Sequence, residues 1–431
     1  MRVHEQSAAH SKGWLVALVR WIACCASLLV LGAACARQYC PGCKHPDPLA
    51  VGCPYAGTEL AASFQNRALA DPPIDQPTLL ILSGGASHGA WGAGVITGWP
   101  STGPTPRPNF TVVTGISTGA LQAPFAFLGT GEDGKLKTFY TTTTNSDIYE
   151  MKWNFLWSNS LQSREPLRQI INNNVTKDVV LAIAAETNRE LFVGTVNLDT
   201  SQFCPWNLST IARKAQTANS NGDAQETACW VKLIGDAIFA ASGAPVIAPP
   251  VEIDSNACTG GPPQRMLHVD GGIRARIFVA DVVERAINAG LTPTAYVIMN
   301  GKLTTHPECV EDRLLDIALR TFEIIDHEAL FGSLHALMSK HPNPANQPPK
   351  WNLRLSRVPD EHCLSFAGSE FDPVKMTCLF NKGETWVQQA DPWETTIPVA
   401  SAAAWPPDPN CCRPLGKCPD KICVPHMGCP P

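Results

Sequence analysis

Short apolar runs that end at small residues recur along the middle of the chain. The first, TLLILSGG, begins at Thr78 and leads through a glycine pair into the small-residue stretch AWGAGVITGW. A second run, FTVVTG, precedes Ser117, and the apolar stretch ALQAPFAFLG follows it. Apolar runs of about four to eight residues that end at turn residues are typical of buried strands. The pattern therefore predicts strand, tight turn and helix twice in succession.

The same alternation continues further along the chain. Apolar runs at ELFVGTVNL, RMLHVD and AYVIMN are separated by stretches with helical spacing, and a long helical segment is predicted from Asp312 to about Met338. Strands that alternate with helices favour a sheet of parallel strands covered on both faces. The sequence therefore predicts an α/β fold in three layers, with a mostly parallel central sheet between helices.

Residues 1–36 have the pattern of an export signal. The run WLVALVRWIACCASLLVLGAA, residues 14–34, is apolar apart from Arg20, and Arg2 and Lys12 precede it. Basic residues ahead of such a run are typical of a signal peptide. We therefore expect an exported protein.

Cys35 is the candidate lipid anchor. It follows the small residues Gly32, Ala33 and Ala34, which resembles the lipobox of bacterial lipoproteins, where the cysteine is acylated after cleavage. The match departs in one position, because Leu31 stands four residues before the cysteine rather than three. Two alternatives remain: cleavage after Ala36, which would give a periplasmic or secreted protein, and an uncleaved transmembrane anchor. The first interpretation predicts a protein of the cell envelope, anchored to the membrane surface through Cys35.

Composition divides the rest of the chain. Residues 37–75 and 391–431 are rich in Pro, Gly and Cys without a sustained period, which predicts a spacer and a small C-terminal tail on either side of a catalytic domain at 76–390.

The chain has 17 cysteines, and in an exported protein these indicate disulfides. Cys40 and Cys43 have the CxxC spacing of a zinc site, but no second pair accompanies them, so we expect no metal.

The balance of charge bears on possible partners. The 33 basic residues are outnumbered by 38 acidic ones, for a formal net charge of −5, and no long basic run occurs. Binding to a phosphate backbone depends on clustered Lys and Arg. Nucleic acid is therefore not an expected partner.

Ser117 is the candidate nucleophile. It is the centre of GISTG, the GxSxG pattern of a nucleophile elbow, in which small neighbours allow a sharp turn from strand to helix. Such a turn exposes the hydroxyl at a helix N-terminus, where the backbone dipoles favour developing negative charge. By itself the pattern also fits an ordinary strand-to-helix turn.

A glycine-rich loop precedes this elbow. Gly84, Gly85 and Ala86 come directly after a predicted strand and before a predicted helix, so their N–H groups can converge on a phosphate or on an oxyanion. A phosphate loop requires Lys followed by Ser or Thr, and a dinucleotide fold requires GxGxxG; neither pattern is present. The loop is therefore a candidate oxyanion hole.

Asp270 is the candidate general base. It ends the apolar run RMLHVD and is followed by two glycines, and the end of a strand is where α/β sheets place their sites. A buried carboxylate hydrogen-bonded to the serine can accept its proton during attack. His268 lies two residues earlier on the same strand face, which leaves open a Ser-His esterase with His268 as the base.

The loop, the GxSxG and the DGG in this order resemble the patatin-like phospholipase family. The resemblance continues through SLQSREPLRQIINNN, VGTVNLDTS, FAASGAPVIAPPVEI and FDPVKMTCLFNKG, so it extends from about Gln76 to Ala390. It implies the patatin-like three-layer fold and a serine-dependent acyl hydrolase, a lipase, phospholipase or esterase that acts on a lipid or acyl ester without a cofactor.

The resemblance also implies roles for single residues. Ser117 would be the nucleophile and Asp270 the base of a Ser-Asp dyad, and the N–H groups around Gly84, Gly85 and Ala86 would form the oxyanion hole.

Four features depart from the family pattern. Ala86 stands where the family usually has a third glycine, His88 where it usually has Arg or Lys, and Pro124 is expected to kink or shorten the helix after the elbow. The segment IRARIFV after the DGG also lacks the usual Asn and Pro. These departures leave a second hypothesis open, a non-catalytic lipid-binding or scaffolding lipoprotein of the envelope.

Overall fold

The computed structural model describes residues 53, 55, 76–103, 105–151, 162–243, 248–279, 282–303, 314–340, 350–359 and 371–397. The predicted signal segment, Cys35, the Cys40/Cys43 pair, most of the spacer and the tail beyond residue 397 lie outside these residues. Within them, no helix is both long and apolar enough to cross a membrane.

In the part of the chain that the structure describes, the central sheet contains eight strands. They are β1 (Thr78–Leu82), β2 (Val112–Gly115), β5 (Glu190–Asn197), β6 (Phe203–Asn207), β7 (Val251–Asp254), β8 (Arg265–Asp270), β9 (Thr294–Ile298) and β10 (Asn352–Ser356); β3 (Glu150–Met151) and β4 (Gln162–Ser163) form a separate antiparallel pair.

The helices are α1 (Gly89–Gly98), α2 (Thr118–Leu128), α3 (Asp133–Thr142), α4 (Asn145–Ile148), α5 (Glu165–Asn174), α6 (Lys177–Ala185), α7 (Leu208–Ser220), α8 (Ala224–Ala241), α9 (Val282–Asn288), α10 (Leu314–Lys340) and α11 (Pro373–Val387). Single 3-10 turns precede α1, join α2 to α3, and follow β8.

The sheet is mostly parallel. Its order is β10-β9-β1-β2-β5-β8-β7, with β6 also paired to β5. The five strands from β10 to β5 are parallel to one another, whereas β6 and β8 run antiparallel to β5, and β7 antiparallel to β8. The predicted α/β class with a mostly parallel sheet is confirmed, and the antiparallel direction of β8 is a feature that the sequence pattern did not predict.

The core lies on both faces of the sheet. Along β1, Leu80 and Leu82 pack into one buried cluster, and Leu79 and Ile81 pack into a second. Alternate residues of a strand point to opposite faces, so a strand buried on both sides reads as a continuous apolar run. The run TLLIL therefore reflects a layer of helices on each face, as predicted.

Two disulfides join described residues. Cys53 pairs with Cys204 on β6, and Cys229 on α8 pairs with Cys258. Near Cys53, Tyr55 packs against Trp206 with ring centroids 6.4 Å apart. The two described residues of the predicted spacer are therefore attached to the sheet at β6.

Residues 391–397 also contact the sheet, although the predicted tail begins at 391. The backbone of Glu394 bridges to Leu355 on β10, and Arg357 donates to its carboxylate at 3.1 Å. Trp393 packs against Trp99 with ring centroids 4.6 Å apart. The first residues of the tail thus cover the β10 edge of the sheet.

Candidate active site

Ser117 occupies a strained turn between β2 and α2. Its backbone has φ 55° and ψ −123°, a region that residues with a side chain rarely adopt. Hydrogen bonds on both sides hold the turn: the Ser117 N–H donates to the carbonyl of Ala241 at 3.0 Å, and the Ile116 N–H donates to that of Leu82 at 3.1 Å. The turn has the geometry of a nucleophile elbow.

The elbow also requires the absence of a side chain at Gly119. A Cβ there would collide with the backbone carbonyls of Leu82 and Ser83, where β1 ends. α2 can therefore begin directly against the end of β1, and Ser117 lies at its N-terminus, where the helix dipole favours negative charge. Pro124 lies inside α2, which continues four residues beyond it to Leu128.

The pairing of β5 explains how Asp270 reaches Ser117. Residues 192–196 of β5 pair with β6 on one edge. β2 pairs with residues 190–193 and β8 with residues 195–197, and both must use the other edge because β6 occupies the first. β2 and β8 therefore run toward each other along a single edge of β5, and their C-terminal ends meet.

Asp270 is buried, with 4% of its surface exposed, and its carboxylate lies close enough to the Ser117 side chain for that side chain to lower its pKa. Its Oδ1 also accepts the Gly272 N–H at 2.7 Å, and its own N–H donates to the carbonyl of Gly243 at 3.1 Å. Desolvation by burial raises the pKa of Asp270, and the hydrogen bond from Gly272 and the Ser117 side chain oppose that rise. The structure thus brings the two predicted residues close together.

Two arginines near Asp270 were not singled out from the sequence. The positive charges of Arg276 and Arg164 both act to lower the pKa of Asp270. Arg276 lies in the loop after β8, close enough to Gly84 that a Cβ on that glycine would be 2.8 Å from its Nη1. The only signal in the sequence that a cation lies near Asp270 was the basic character of IRARIFV, which follows the DGG directly.

Arg164 is the more deeply buried of the two, with 1% of its surface exposed. Its Nη1 donates to the carbonyl of Phe239 at 3.0 Å, and its guanidinium stacks over the Phe239 ring at 4.1 Å. Among the described residues, its Nε and Nη2 have no hydrogen-bond partner. Burial lowers the pKa of Arg164 to about 10, which leaves it charged at neutral pH. A buried charge without a full set of partners is costly unless a nearby opposite charge offsets it, and Asp270 is such a charge.

The glycine loop lies beside the elbow. A Cβ on Gly84 would be 3.0 Å from the Ser117 Cβ, so the absence of a side chain is what allows this approach. Within the described residues, the backbone N–H groups of Gly84, Gly85 and Ala86 donate no hydrogen bond. Ala86 has a φ of 47°, a left-handed conformation that glycine adopts without strain. That conformation gives a physical reason for the third glycine of the family pattern.

Asn300 braces this loop from the end of β9. Its Nδ2 donates to the carbonyl of Ser83 at 2.7 Å, and its Oδ1 accepts the Gly92 N–H at 3.1 Å. Its own N–H donates to the Ser83 hydroxyl at 2.8 Å. A buried asparagine that bonds loop and helix together fixes the direction of the loop. The sequence held one signal for this role, because Asn300 is a polar residue at the end of the apolar run AYVIMN.

His268 is buried, and its ring contacts Thr195 and Trp206. Its Nδ1 lies 2.9 Å from the Thr195 hydroxyl, and its ring packs edge-on against Trp206 with centroids 5.3 Å apart. Burial lowers the pKa of His268 to about 4, so the ring is neutral at pH 7. Within the described residues, no cluster of three or more His, Cys, Asp or Glu could hold a metal ion.

A known family matches part of the chain. Residues 80–283 match the family described as patatin-like phospholipase. Among solved structures, the chain is similar to VipD from Legionella pneumophila, with 10% identity, a TM-score of 0.34, and coverage of 73% of this chain and 67% of that one. No curated protein matches the chain in sequence.

The strain at Ser117 generates a prediction about stability. Glycine adopts the Ser117 backbone conformation readily, whereas alanine keeps the strain. We expect Ser117→Gly to unfold at higher urea concentration than Ser117→Ala, with a free energy of unfolding larger by about 1 kcal/mol. Equal midpoints for the two variants would contradict a strained elbow.

The position of Arg164 generates a prediction about pH. A cation favours the ionised carboxylate, so its loss raises the pKa of Asp270 further. A base must be ionised to act, so activity is present above this pKa and is lost as pH falls through it. We expect Arg164→Met to shift the acid limb of the kcat/KM profile to higher pH.

The matched control is Arg164→Lys, which removes the same packing over Phe239 but keeps the charge. Its acid limb should stay close to that of wild type. If both variants shift equally, the effect comes from lost packing rather than from lost charge.

Proposed function

We propose that this protein is a serine-dependent acyl hydrolase with a Ser117–Asp270 dyad, because residues 80–283 match the family described as patatin-like phospholipase. The observation that carries the proposal is that β2 and β8 meet and bring the Ser117 side chain to the buried Asp270 carboxylate, whose pKa it lowers. The substrate is a lipid or another acyl ester.

In the first half of the reaction, the Ser117 hydroxyl attacks the ester carbonyl and its proton passes to Asp270. The oxyanion that forms is stabilised by the N–H groups of Gly84, Gly85 and Ala86, each such donor being worth roughly 3 to 4 kcal/mol of barrier. Collapse of the intermediate breaks the ester C–O bond, and the alcohol leaves with the proton from Asp270. The product is an acyl group on the Ser117 oxygen.

In the second half, water attacks the acyl-enzyme and Asp270 accepts a proton from it. Collapse releases the carboxylic acid and returns the proton to the Ser117 oxygen, so both residues regain their starting states. The raised pKa of Asp270 suits this role, because a more basic carboxylate accepts a proton more readily. The carboxylate performs both transfers without a histidine.

We also propose that the protein is exported and held at a membrane surface through Cys35. The disulfides Cys53–Cys204 and Cys229–Cys258 support export, since such bonds form and persist in oxidising compartments. A membrane surface would supply the lipid substrate.

The dyad is tested by two single substitutions. Asp270→Asn keeps the shape of the side chain but cannot accept the proton, so we expect kcat on a soluble ester to fall by about three to four orders of magnitude. His268→Gln should retain most of the activity, because the contacts of His268 are to Thr195 and Trp206. The reverse ranking would move the reaction to a Ser-His mechanism.

Labelling with a fluorophosphonate probe separates an enzyme from a non-catalytic lipid-binding protein. The wild-type protein should be labelled and Ser117→Ala should not. Lipid binding by a wild-type protein that is neither labelled nor hydrolytic would contradict the proposal and favour the scaffolding alternative.

Location is tested at Cys35. Diacylation of this residue would attach the protein by two or more chains, enough for stable anchoring. We expect Cys35→Ser to move the protein from the membrane fraction to the soluble fraction, with unchanged activity on a soluble ester. A variant that stays membrane-bound and keeps its full N-terminus by mass spectrometry would instead identify residues 14–34 as an uncleaved anchor.

A further inference from the structure

A cavity of about 630 Å³ lies along the outer face of α2. Its wall on this helix is formed by Leu121, Pro124, Phe125 and Leu128, which repeat at the spacing of a single helix face. Ser117 precedes Leu121 by four residues, and its carbonyl accepts the Leu121 N–H at 3.4 Å. The apolar stripe therefore begins one helical turn from the nucleophile.

A second helix leads from the elbow to the same cavity. Ile238 on α8 lines it, and the carbonyl of Ala241, three residues later on α8, accepts the Ser117 N–H. Ser117 itself does not line the cavity, which starts about one turn away on both helices. The near end of the cavity is thus fixed to the elbow by two separate backbone hydrogen bonds.

The rest of the wall is mostly apolar. The stripe of α2 is faced by Phe139 on α3, Ile170 and Ile171 on α5, Val175 directly after α5, and Val179 on α6. Polar residues at and after the end of α3 also line the cavity: Thr142, Thr143 and Asp147. From Leu121 to Leu128 the helix rises by about 10 Å, which sets the length of the apolar wall. The volume lies within the range of about 300 to 1,000 Å³ that is typical of pockets for single small ligands.

The far end is polar. α3 returns antiparallel to α2, because the Tyr140 hydroxyl near its end bonds to Thr118 at the start of α2. Gly134 and Lys135, at the start of α3, therefore lie at the end away from Ser117, and Lys135 pairs with Glu132 at 2.8 Å. Charged side chains at this end do not favour a longer apolar ligand.

We propose that this cavity holds the acyl chain of the substrate, with the carbonyl at Ser117 and the methyl end near Gly134. The inference rests on the proposed acyl hydrolase and assigns the place of the acyl chain along α2 and the residues at the start of α3 that limit its length. An apolar chain fits because the near end lies one helical turn from Ser117, the stripe of α2 and most residues facing it are apolar, and the far end carries an ion pair. Each methylene buried there contributes a factor of about four to kcat/KM, which corresponds to about 0.8 kcal/mol.

The test fills the cavity at two depths. Gly134→Trp is suited to the far end, because a Cβ at Gly134 meets no atom within 4 Å. Thr138→Trp fills it one turn nearer to Ser117. The matched control is Gly131→Trp, since Gly131 is also exposed with open space around its Cβ but does not line the cavity.

The measurement is kcat/KM for nitrophenyl butyrate, octanoate, laurate and palmitate. Gly134→Trp should lower the value for palmitate at least tenfold and leave butyrate unchanged, and Thr138→Trp should extend the loss to shorter chains. Gly131→Trp should keep the wild-type profile. If both cavity variants keep that profile while wild type hydrolyses the esters, the acyl chain binds elsewhere and only the present inference is wrong.

Equilibrium binding of a fluorescent dodecanoate separates this inference from the proposed function. If wild type binds the probe and Gly134→Trp weakens binding while no ester is hydrolysed, the cavity is an acyl site and the proposed activity is wrong. If the probe does not bind to wild type and no chain-length dependence is measured, the cavity has another occupant.

Discussion

The site depends on the way three strands share β5. Because β6 occupies one edge, β2 and β8 must both lie on the other, and they approach each other from opposite directions. Two strands that meet in this way cannot continue, so each must turn out of the sheet at the same point. One of these turns carries Ser117 and the other carries Asp270, and their contact follows from the pairing of the sheet rather than from flexible loops.

The helix α8 closes this arrangement. The carbonyl of Ala241 at its end accepts the Ser117 N–H, and the carbonyl of Gly243 accepts the Asp270 N–H. Ser117 and Asp270 are therefore both fixed through their backbones to one short segment. Fixed positions of this kind permit the strained φ at Ser117 and the buried charge at Asp270, which would each relax in a looser scaffold.

The sequence predicted the local features of the site and missed its long-range ones. The elbow, the loop and the DGG follow from small residues at fixed spacing, and all three lie where strand gives way to turn. The direction of β8 was not predictable, because an apolar run looks the same in a parallel and an antiparallel strand. Arg164 and Arg276 were missed for a related reason: each acts on Asp270 through space, and nothing in their neighbouring residues indicates that a carboxylate is close. Asn300 differs, because its place after an apolar strand was a usable signal.

The link between Cys53 and Cys204 has a mechanical consequence. A pull transmitted along the chain from its N-terminal side reaches Cys53 first, and the disulfide passes it directly to β6. β6 is bonded along its length to β5, so the load is shared among several hydrogen bonds. Without this bond, the contact of Tyr55 with Trp206 would remain, but the covalent path would continue along the chain toward β1, whose end supports the elbow through the carbonyl of Leu82. The disulfide thus gives force a covalent path to β6 that does not pass through the strand beside Ser117.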